Sequence, residues 1–367
     1  MTNISTLFYN KIKPSIAVWE TTLKCNSKCI HCGSSAGEIR SDELNTEEGL
    51  GLIKDLKKCG YKGIALMGGE PLIRDDWFEL AQEVKENNLE LSIVTNGLNL
   101  NKQIEKIKKL NPECTCLSLD GGSPKIHDYL RGVKGAFQKT IDGIKLLKKK
   151  EVPVSVITTV SKTNFKELDA IKNILLDQNI AWQIQIALPI GRFPRDLVIS
   201  EEQFYTLALF IAINVKKYTY KRLPVIGGHC MGHFSRFIPN LGLIPWIGCQ
   251  AGNSVLGIQS NGNIKGCLTL PDKFIEGNIR EKSLKEIIET IKMRKKHLIS
   301  YCIRCDLLDE CKGGCLGTMY ALQYKDIPYC LRAIENKFSN NENISFRGKL
   351  DSKISKLKNL NKLLGQI

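Results

Sequence analysis

The chain has 367 residues, 43% hydrophobic and 25% charged, a balance that supports a sizeable core and excludes a disordered tail protein, a collagen and a coiled coil. Lysine and arginine outnumber acids 53 to 38, and the resulting charge of +15 favours anionic partners without bearing on fold. No run approaches the ~18 apolar residues of a membrane span, and Met1–Pro14 lacks the apolar core of a signal peptide, so a cytoplasmic protein with no membrane partner is expected. The basic residues are spread through helices rather than interleaved with aromatics, which argues against a nucleic-acid partner.

From Ser15 to Tyr218 short β-rich runs alternate with amphipathic stretches. Strands are predicted at Ile16–Thr21, Gly63–Met67, Leu91–Thr95, Cys114–Leu119, Val154–Val160 and Trp182–Ile186. Helices are predicted near Glu47–Lys58, Trp77–Glu86, Lys102–Lys109, Ala136–Lys149, Phe165–Asp177 and Glu202–Lys217, two of them opened by capping boxes, Asn45…Glu48 and Ser200…Gln203. Six βα repeats read as an α/β fold, a partial (β/α)6 TIM barrel, whose chemistry gathers at the carboxyl ends of the strands. After about Leu223 the texture changes: Gly and Pro become frequent and strands look short. Such a unit has too little apolar periodicity to stand alone and is expected to be held by metal. The expected division is a barrel over 1–222, a small metal-bound domain over 223–335 and a helical tail over 336–367, where Ile354, Leu357, Leu360 and Leu364 would form one stripe.

Fourteen cysteines are the unusual quantity, and without a secretion signal they point to metal or redox work rather than disulfides. Cys25, Cys29 and Cys32 directly follow the first strand. Three thiolates within eight residues can fold round one face of a cubane and leave its fourth iron without a protein ligand. The alternative is a closed zinc site with His31 as a fourth ligand. Cys59, Cys114 and Cys116 read as core filler.

Cys25-x3-Cys29-x2-Cys32 after the first strand of a βα barrel resembles the signature of the radical S-adenosylmethionine (SAM) enzymes. The resemblance extends along the barrel. Gly68-Gly69-Glu70-Pro71 is similar to the family's motif for the methionine amino group, where glycines let backbone approach a ligand and a carboxylate accepts from an ammonium. Taken alone, that tetrapeptide is a tight turn. Thr95-Asn96-Gly97 and Ser118-Leu119-Asp120-Gly121 resemble segments bordering the SAM site, with Thr95, Asn96, Ser118 and Asp120 suited to ribose contacts. Arg131, in His127-Asp128-Tyr129-Leu130-Arg131-Gly132, would pair with a carboxylate of SAM or substrate, or form a surface salt bridge. Gln183 and Gln185 are weaker candidates. The resemblance implies that a reduced cluster cleaves SAM to methionine and a 5′-deoxyadenosyl radical, which abstracts hydrogen from an unactivated carbon.

The C-terminal spacing, Cys249-x12-Gly262-x4-Cys267, then Cys302-x2-Cys305-x5-Cys311-x3-Cys315, then Cys330, is similar to the SPASM extension of peptide and protein maturases. By that family's ligand order, Cys302, Cys305, Cys311 and Cys330 would hold one auxiliary [4Fe–4S] cluster and Cys249, Cys267 and Cys315 another, giving three clusters with the first. The second auxiliary cluster is one ligand short. Either Cys230 reaches it or one iron stays open; as a thiol at the barrel mouth, Cys230 would alternatively return a hydrogen atom to a substrate radical. The resemblance thus implies a radical SAM/SPASM maturase acting on a ribosomally made precursor peptide, by thioether or crosslink formation or by epimerisation. A sulfatase-type Cys/Ser oxidase and a small-molecule dehydrogenase or epimerase are the alternatives. An external electron donor such as flavodoxin or ferredoxin is implied as a partner. With only about fifteen residues ahead of the first strand, leader recognition is expected in the SPASM region, in the tail or in a separate leader-binding protein.

Overall fold

The structure is a computed structural model that describes residues 15–218, 221–228, 231, 235–238, 241, 242, 246, 248–293, 300–322 and 330–340. Strands β1 (Ile16–Thr22), β2 (Gly63–Gly68), β3 (Glu90–Thr95), β4 (Cys114–Ser118), β5 (Val154–Val160) and β6 (Ala181–Ile186) pair in chain order, each parallel to the next. Parallel neighbours require crossovers. These are supplied by α1 (Thr46–Lys58), α2 (Trp77–Glu86), α3 (Leu100–Leu110), α4 (Pro124–Arg131), α5 (Ala136–Lys149) and α6 (Leu168–Leu175), with α7 (Glu201–Lys217) following β6. This is the partial barrel expected of the βα alternation. Both capping boxes form, with Asn45 and Glu48, and Ser200 and Gln203, bonding each other's backbone amides.

The outer face of the sheet forms the core. Along β3 to β6 every second residue (Leu91, Ile93, Leu117, Val156, Trp182 and Ile184 among them) is fully buried. Each such side chain contributes about 1.5–3 kcal/mol relative to exposure. Trp182 also meets Phe210 of α7 edge-on at 6.0 Å, and its Nε1–H donates to Thr158 Oγ1 at 2.8 Å, so the indole is buried with its polar atom satisfied.

Three features depart from the sequence reading. First, the stretch read only as a motif at His127–Gly132 is largely helix α4, which ends where Gly132 turns to φ +64°. Second, β7 (Val225–Gly227) pairs parallel with β6, so the sheet continues past residue 222. Third, β8 (Val255–Ile258) pairs parallel with β1, and β9 (Asn263–Lys265) and β10 (Ile275–Asn278) follow antiparallel. All ten strands form one sheet in the order β10-β9-β8-β1-β2-β3-β4-β5-β6-β7. A bare β1 edge would offer unpaired amides to any other strand, and the hairpin covers it. The β8–β9 turn passes through Gly262 at φ +86°, where a Cβ would be strained, which accounts for the glycine in the cysteine spacing. Strand partners this distant in sequence leave no local pattern.

The C-terminal region continues with α8 (Leu284–Met293), α9 (Ser300–Ile303), α10 (Leu308–Cys311), α11 (Leu316–Leu322) and α12 (Leu331–Asn340). Helix α12 docks on α7. Buried Glu335 accepts from Tyr205 Oη at 3.2 Å, and Lys337 pairs with Glu201 at 2.6 Å. Cys230 and the predicted stripe of Ile354, Leu357, Leu360 and Leu364 lie outside the described residues. Among the described residues no helix is long and apolar enough to cross a membrane.

Candidate cluster and cofactor site

The chain leaves β1 at Thr22 and runs directly into Cys25, in a loop gripped from three sides. From β2, Gly69 N–H donates to Thr22 O at 2.7 Å and Glu70 N–H to Lys24 O at 2.9 Å. A Cβ on Gly69 would stand 2.2 Å from Lys24 O, so only glycine permits this approach. From α4, Lys28 N–H donates to Arg131 O at 3.1 Å and Ile30 N–H to Leu130 O at 2.9 Å. From the segment after β6, Arg192 donates to Cys29 O at 2.8 Å through Nε and to Ala36 O at 2.7 Å through Nη2. The sequence reading passed over Arg192, whose only signal is a basic residue just beyond a strand end.

Burial is the main cause that pushes the Cys25 thiol up to about 11, and the charges of Glu70, Cys29 and Cys32, gathered beside it by this grip, add to the shift. The sulfurs are supplied with donors. Ser27 N–H lies 3.4 Å from Cys25 Sγ, Ala36 N–H 3.3 Å from Cys32 Sγ, and Arg131 Nη1 3.6 Å from Cys29 Sγ. Arg131 Nε and His31 Nδ1 are buried, and within the described residues neither has a hydrogen-bond partner. A buried N–H without an acceptor is costly. Three thiols ringed by donors, one of them lacking an acceptor, fit an anionic group, as a thiolate-held iron–sulfur cluster is.

The ends of β2 and β3 are tied to the same loop. Glu70 is wholly buried. Its Oε1 accepts from Thr95 Oγ1 at 2.7 Å and Leu72 N–H at 3.1 Å, its Oε2 from Asn96 N–H at 2.7 Å. Burial outweighs those donors and pushes the carboxyl up to about 7. Pro71 opens a single 3-10 turn, Pro71–Ile73, that Glu70 caps; a residue without an amide hydrogen suits that position. Asn96 Nδ2 donates to Asn26 Oδ1 at 2.8 Å and Ser27 Oγ at 3.2 Å. Gly68, Gly69, Glu70, Pro71, Thr95 and Asn96 therefore form one corner beside Cys25.

Asp120, just beyond β4, is wholly buried, and its Oδ2 lies 2.5 Å from Arg131 Nη2 and 3.1 Å from His31 Nε2. Thr159 N–H donates to its Oδ1 at 2.7 Å. Burial opposes ionisation, but Arg131 and His31 outweigh it and hold the carboxyl below its ordinary value. Two expectations are corrected here. Arg131 forms an interior ion pair, with a side chain only 11% exposed, rather than a surface one. His31 is a strut to Asp120 rather than a ligand turned toward the cysteines. Ser118 is half-buried at the end of β4.

The second cysteine set falls into two groups. Burial is the main cause that pushes Cys311 up to about 11 and Cys330 up to about 12, and the nearby Cys302 and Cys305 add to both shifts. Arg332 bonds Asp306 at 2.9 and 3.0 Å, pinning the residue after Cys305 to the second residue after Cys330. Cys249 and Cys267 meet because Gly252 N–H donates to Gly266 O at 3.1 Å. Gly317 of α11, two residues after Cys315, packs on Thr269, two residues after Cys267: a Cβ on Gly317 would stand 3.1 Å from the Thr269 side chain. Thiols raised this far are neutral unless metal binding drives off their protons.

Opposite the packed core, the other face of β3 to β6 is half-exposed and presents Ser92, Cys116, Ser155, Thr159, Gln183 and Gln185. Gln183 Nε2 donates to Gln185 Oε1 at 3.3 Å, and Gln185 Nε2 to Thr159 Oγ1 at 3.1 Å. Apart from Glu90 at the starting edge of β3, this face of the four strands carries no charged side chain. Parallel barrels usually fill their interior with branched apolar residues. Val94 and Ile157 share this face, and a mostly polar period-2 row inside otherwise buried strands is the sequence signal for an open, solvated interior. Cys114 and Cys116 belong to this face, with sulfurs 3.6 Å apart, rather than to the packed core.

A parallel partial barrel with three cysteines in the loop after β1 and a buried, hydrogen-bonded corner at the ends of β2 and β3 defines a class. Residues 19–174 match the radical SAM superfamily, so the chain carries a radical SAM domain. Residues 249–315 match the SPASM iron–sulfur cluster-binding domain, so this is a radical SAM enzyme with a SPASM domain. The chain is 29% identical to an AdoMet-dependent heme synthase of Methanosarcina barkeri (strain Fusaro / DSM 804) over 87% of this chain and 96% of that protein. It is 26% identical to the mycofactocin maturase MftC of Mycolicibacterium smegmatis (strain ATCC 700084 / mc(2)155), over 84% of this chain and 79% of that one. In fold it is similar to Streptococcus suis SuiB. The SuiB structure bound to S-adenosylmethionine matches with a TM-score of 0.69 and 20% identity over 89% of this chain and 78% of that one. The structure bound to precursor peptide SuiA matches with a TM-score of 0.68 and 18% identity over 90% and 78%.

Proposed function

We propose that the protein is a radical SAM/SPASM maturase that modifies a ribosomally made peptide, by thioether or crosslink formation or by epimerisation. The observation that carries the substrate class is the uncharged polar interior. Gln183, Gln185, Thr159 and Ser155 offer amide and hydroxyl groups that suit a peptide backbone, which is polar and neutral. A tetrapyrrole with its carboxylate side chains would call for cations, and the described interior face of β3 to β6 has none.

Cys25, Cys29 and Cys32 would hold the SAM-binding cluster, with SAM against Gly68, Gly69, Glu70, Pro71, Thr95, Asn96, Ser118, Asp120 and Arg131. Bound there, cluster and SAM supply a 5′-deoxyadenosyl radical for hydrogen abstraction. The protein's own part is orientation. Gly69 lets β2 reach the cysteine loop, Glu70 fixes the β3 end by two hydrogen bonds and caps its own following turn by a third, and Arg192 holds the loop's carbonyls. Cys302, Cys305, Cys311 and Cys330, and Cys249, Cys267 and Cys315, would hold two auxiliary [4Fe–4S] clusters that pass electrons or bind substrate. Cys230 is assigned as hydrogen donor or fourth ligand, and flavodoxin or ferredoxin as electron source.

The test is anaerobic purification, which should yield about twelve irons per chain, followed by incubation with SAM, reductant and a peptide encoded nearby. A mass shift, or a product whose mass is unchanged in ordinary water and that takes up one deuterium in heavy water, supports the reading. A second reading, a reaction on a tetrapyrrole, is favoured by the 29% identity to a heme synthase. Conversion of an iron porphyrin with no change in peptide would decide for it.

A further inference from the structure

Arg131 and Asp120 stand together beneath the cysteine loop, yet they come from different elements and neither is held to the surface. The guanidinium has two faces of work. Nη2 lies 2.5 Å from Asp120 Oδ2, and Nη1 lies 3.6 Å from Cys29 Sγ. Its Nε is buried without a hydrogen-bond partner among the described residues. Asp120 cannot swing away, because Thr159 N–H holds Oδ1 at 2.7 Å and His31 Nε2 lies 3.1 Å from Oδ2. His31 itself sits one residue before Cys32, so the carboxylate is anchored to the very loop whose sulfur the guanidinium touches.

We infer that Arg131 and Asp120 are positioning residues that set the reduction potential of the group held by Cys25, Cys29 and Cys32, Arg131 raising it and Asp120 moderating that effect. The inference rests on the proposed cluster assignment for those three cysteines. Reduction by an external one-electron donor adds one negative charge beside Cys29. A cation fixed next to that sulfur favours the added charge, and a carboxylate fixed to the cation partly cancels it. Held in a water-poor interior, both effects act at close range with little screening. The pair therefore has a signature no merely structural role shares: loss of either partner moves the potential, and the two losses move it in opposite directions.

The experiment is a redox titration of the anaerobically reconstituted full chain without SAM, followed by electron paramagnetic resonance. The relevant signal is the one whose shape changes when SAM is then added. In Arg131→Gln the reduction equilibrium should fall about tenfold, a potential lower by about 59 mV for one electron. In Asp120→Asn it should rise by a comparable factor. Arg131→Lys keeps the charge but shortens the reach to Cys29 and should fall by a smaller factor. Iron content and circular dichroism accompany each variant. If Arg131→Gln or Asp120→Asn does not load iron, Arg131→Lys decides: a lowered potential supports the inference, and an unchanged one overturns it. Unchanged potentials throughout, or shifts of the same sign for Arg131→Gln and Asp120→Asn, overturn it while leaving the cluster assignment standing. A wild-type chain with no SAM-responsive signal overturns the functional reading, and this inference with it.

Discussion

Replacing Glu70 by Gln isolates a buried carboxyl whose cost depends on pH. The side chain is wholly buried, and both oxygens accept hydrogen bonds from Thr95, Leu72 and Asn96. In Glu70→Gln the amide oxygen can keep Thr95 and Leu72, but the amide nitrogen then faces Asn96 N–H, donor against donor. Leaving that buried amide unpaired costs about 1–3 kcal/mol at any pH. The second effect has the opposite sign. Burial raises the folded-state carboxyl from 4.5 to about 7, so the folded chain binds a proton that the unfolded chain has already released. Wild-type stability from this group is full below pH 4.5 and declines as pH rises, by about 3 kcal/mol once pH is above 7, most of it between pH 5 and pH 8. The glutamine variant has no such decline. It should be less stable than wild type at pH 5 and equal or more stable at pH 8. Urea unfolding of the SAM-free protein, followed by fluorescence of buried Trp19, Trp77 and Trp182, measures both, and comparison at one pH cancels the other titrations. A difference between the two proteins that is the same at pH 5 and pH 8 would refute the reasoning.

Further outcomes follow from the same contacts. Gly69→Ala places a methyl group 2.2 Å from Lys24 O; it should lower stability by about 3 kcal/mol in urea titration and lose the about four irons of the first cluster in an iron assay. Trp182→Phe removes the bond to Thr158 Oγ1 and should cost about 1–2 kcal/mol by thermal or urea unfolding, with SAM cleavage retained. Cys25→Ala should abolish SAM cleavage to 5′-deoxyadenosine, scored by chromatography. Cys305→Ala should leave some uncoupled cleavage but yield no modified product, and full turnover in either variant contradicts the ligand assignment.

Much of this molecule could be read before its coordinates. The six strands from Ile16 to Ile186 and their helices carry strong periodicity, and capping residues such as Asn45 and Ser200 mark helix starts chemically, so those elements matched within a few residues. The gathering of Cys25, Cys29 and Cys32 in the loop after β1 was equally legible, because residues of one loop are close in sequence. What escaped is nonlocal. Nothing near Val255 says that it will lie beside Ile16. Arg192 reaches Cys29 O across 163 residues, and Arg131 reaches Cys29 Sγ across 102. Each of these arginines is an ordinary basic residue in its own neighbourhood, and only the convergence of loops at one end of the sheet gives it a task. The polar row from Ser92 to Gln185 was visible residue by residue but needed the pairing register to appear as one surface.

The seam between β1 and β8 has a consequence for anyone who would cut or graft this protein. A break at residue 222 would strip three strands from one flank and β7 from the other, leaving the Ile16–Thr22 ribbon, from which the Cys25 loop springs, with raw backbone on display. A chimera that exchanges the carboxyl-terminal third therefore has to preserve the Ile16–Val255 alignment, and an isolated amino-terminal fragment is a candidate for clumping rather than a minimal catalyst. The two halves are woven, not beaded.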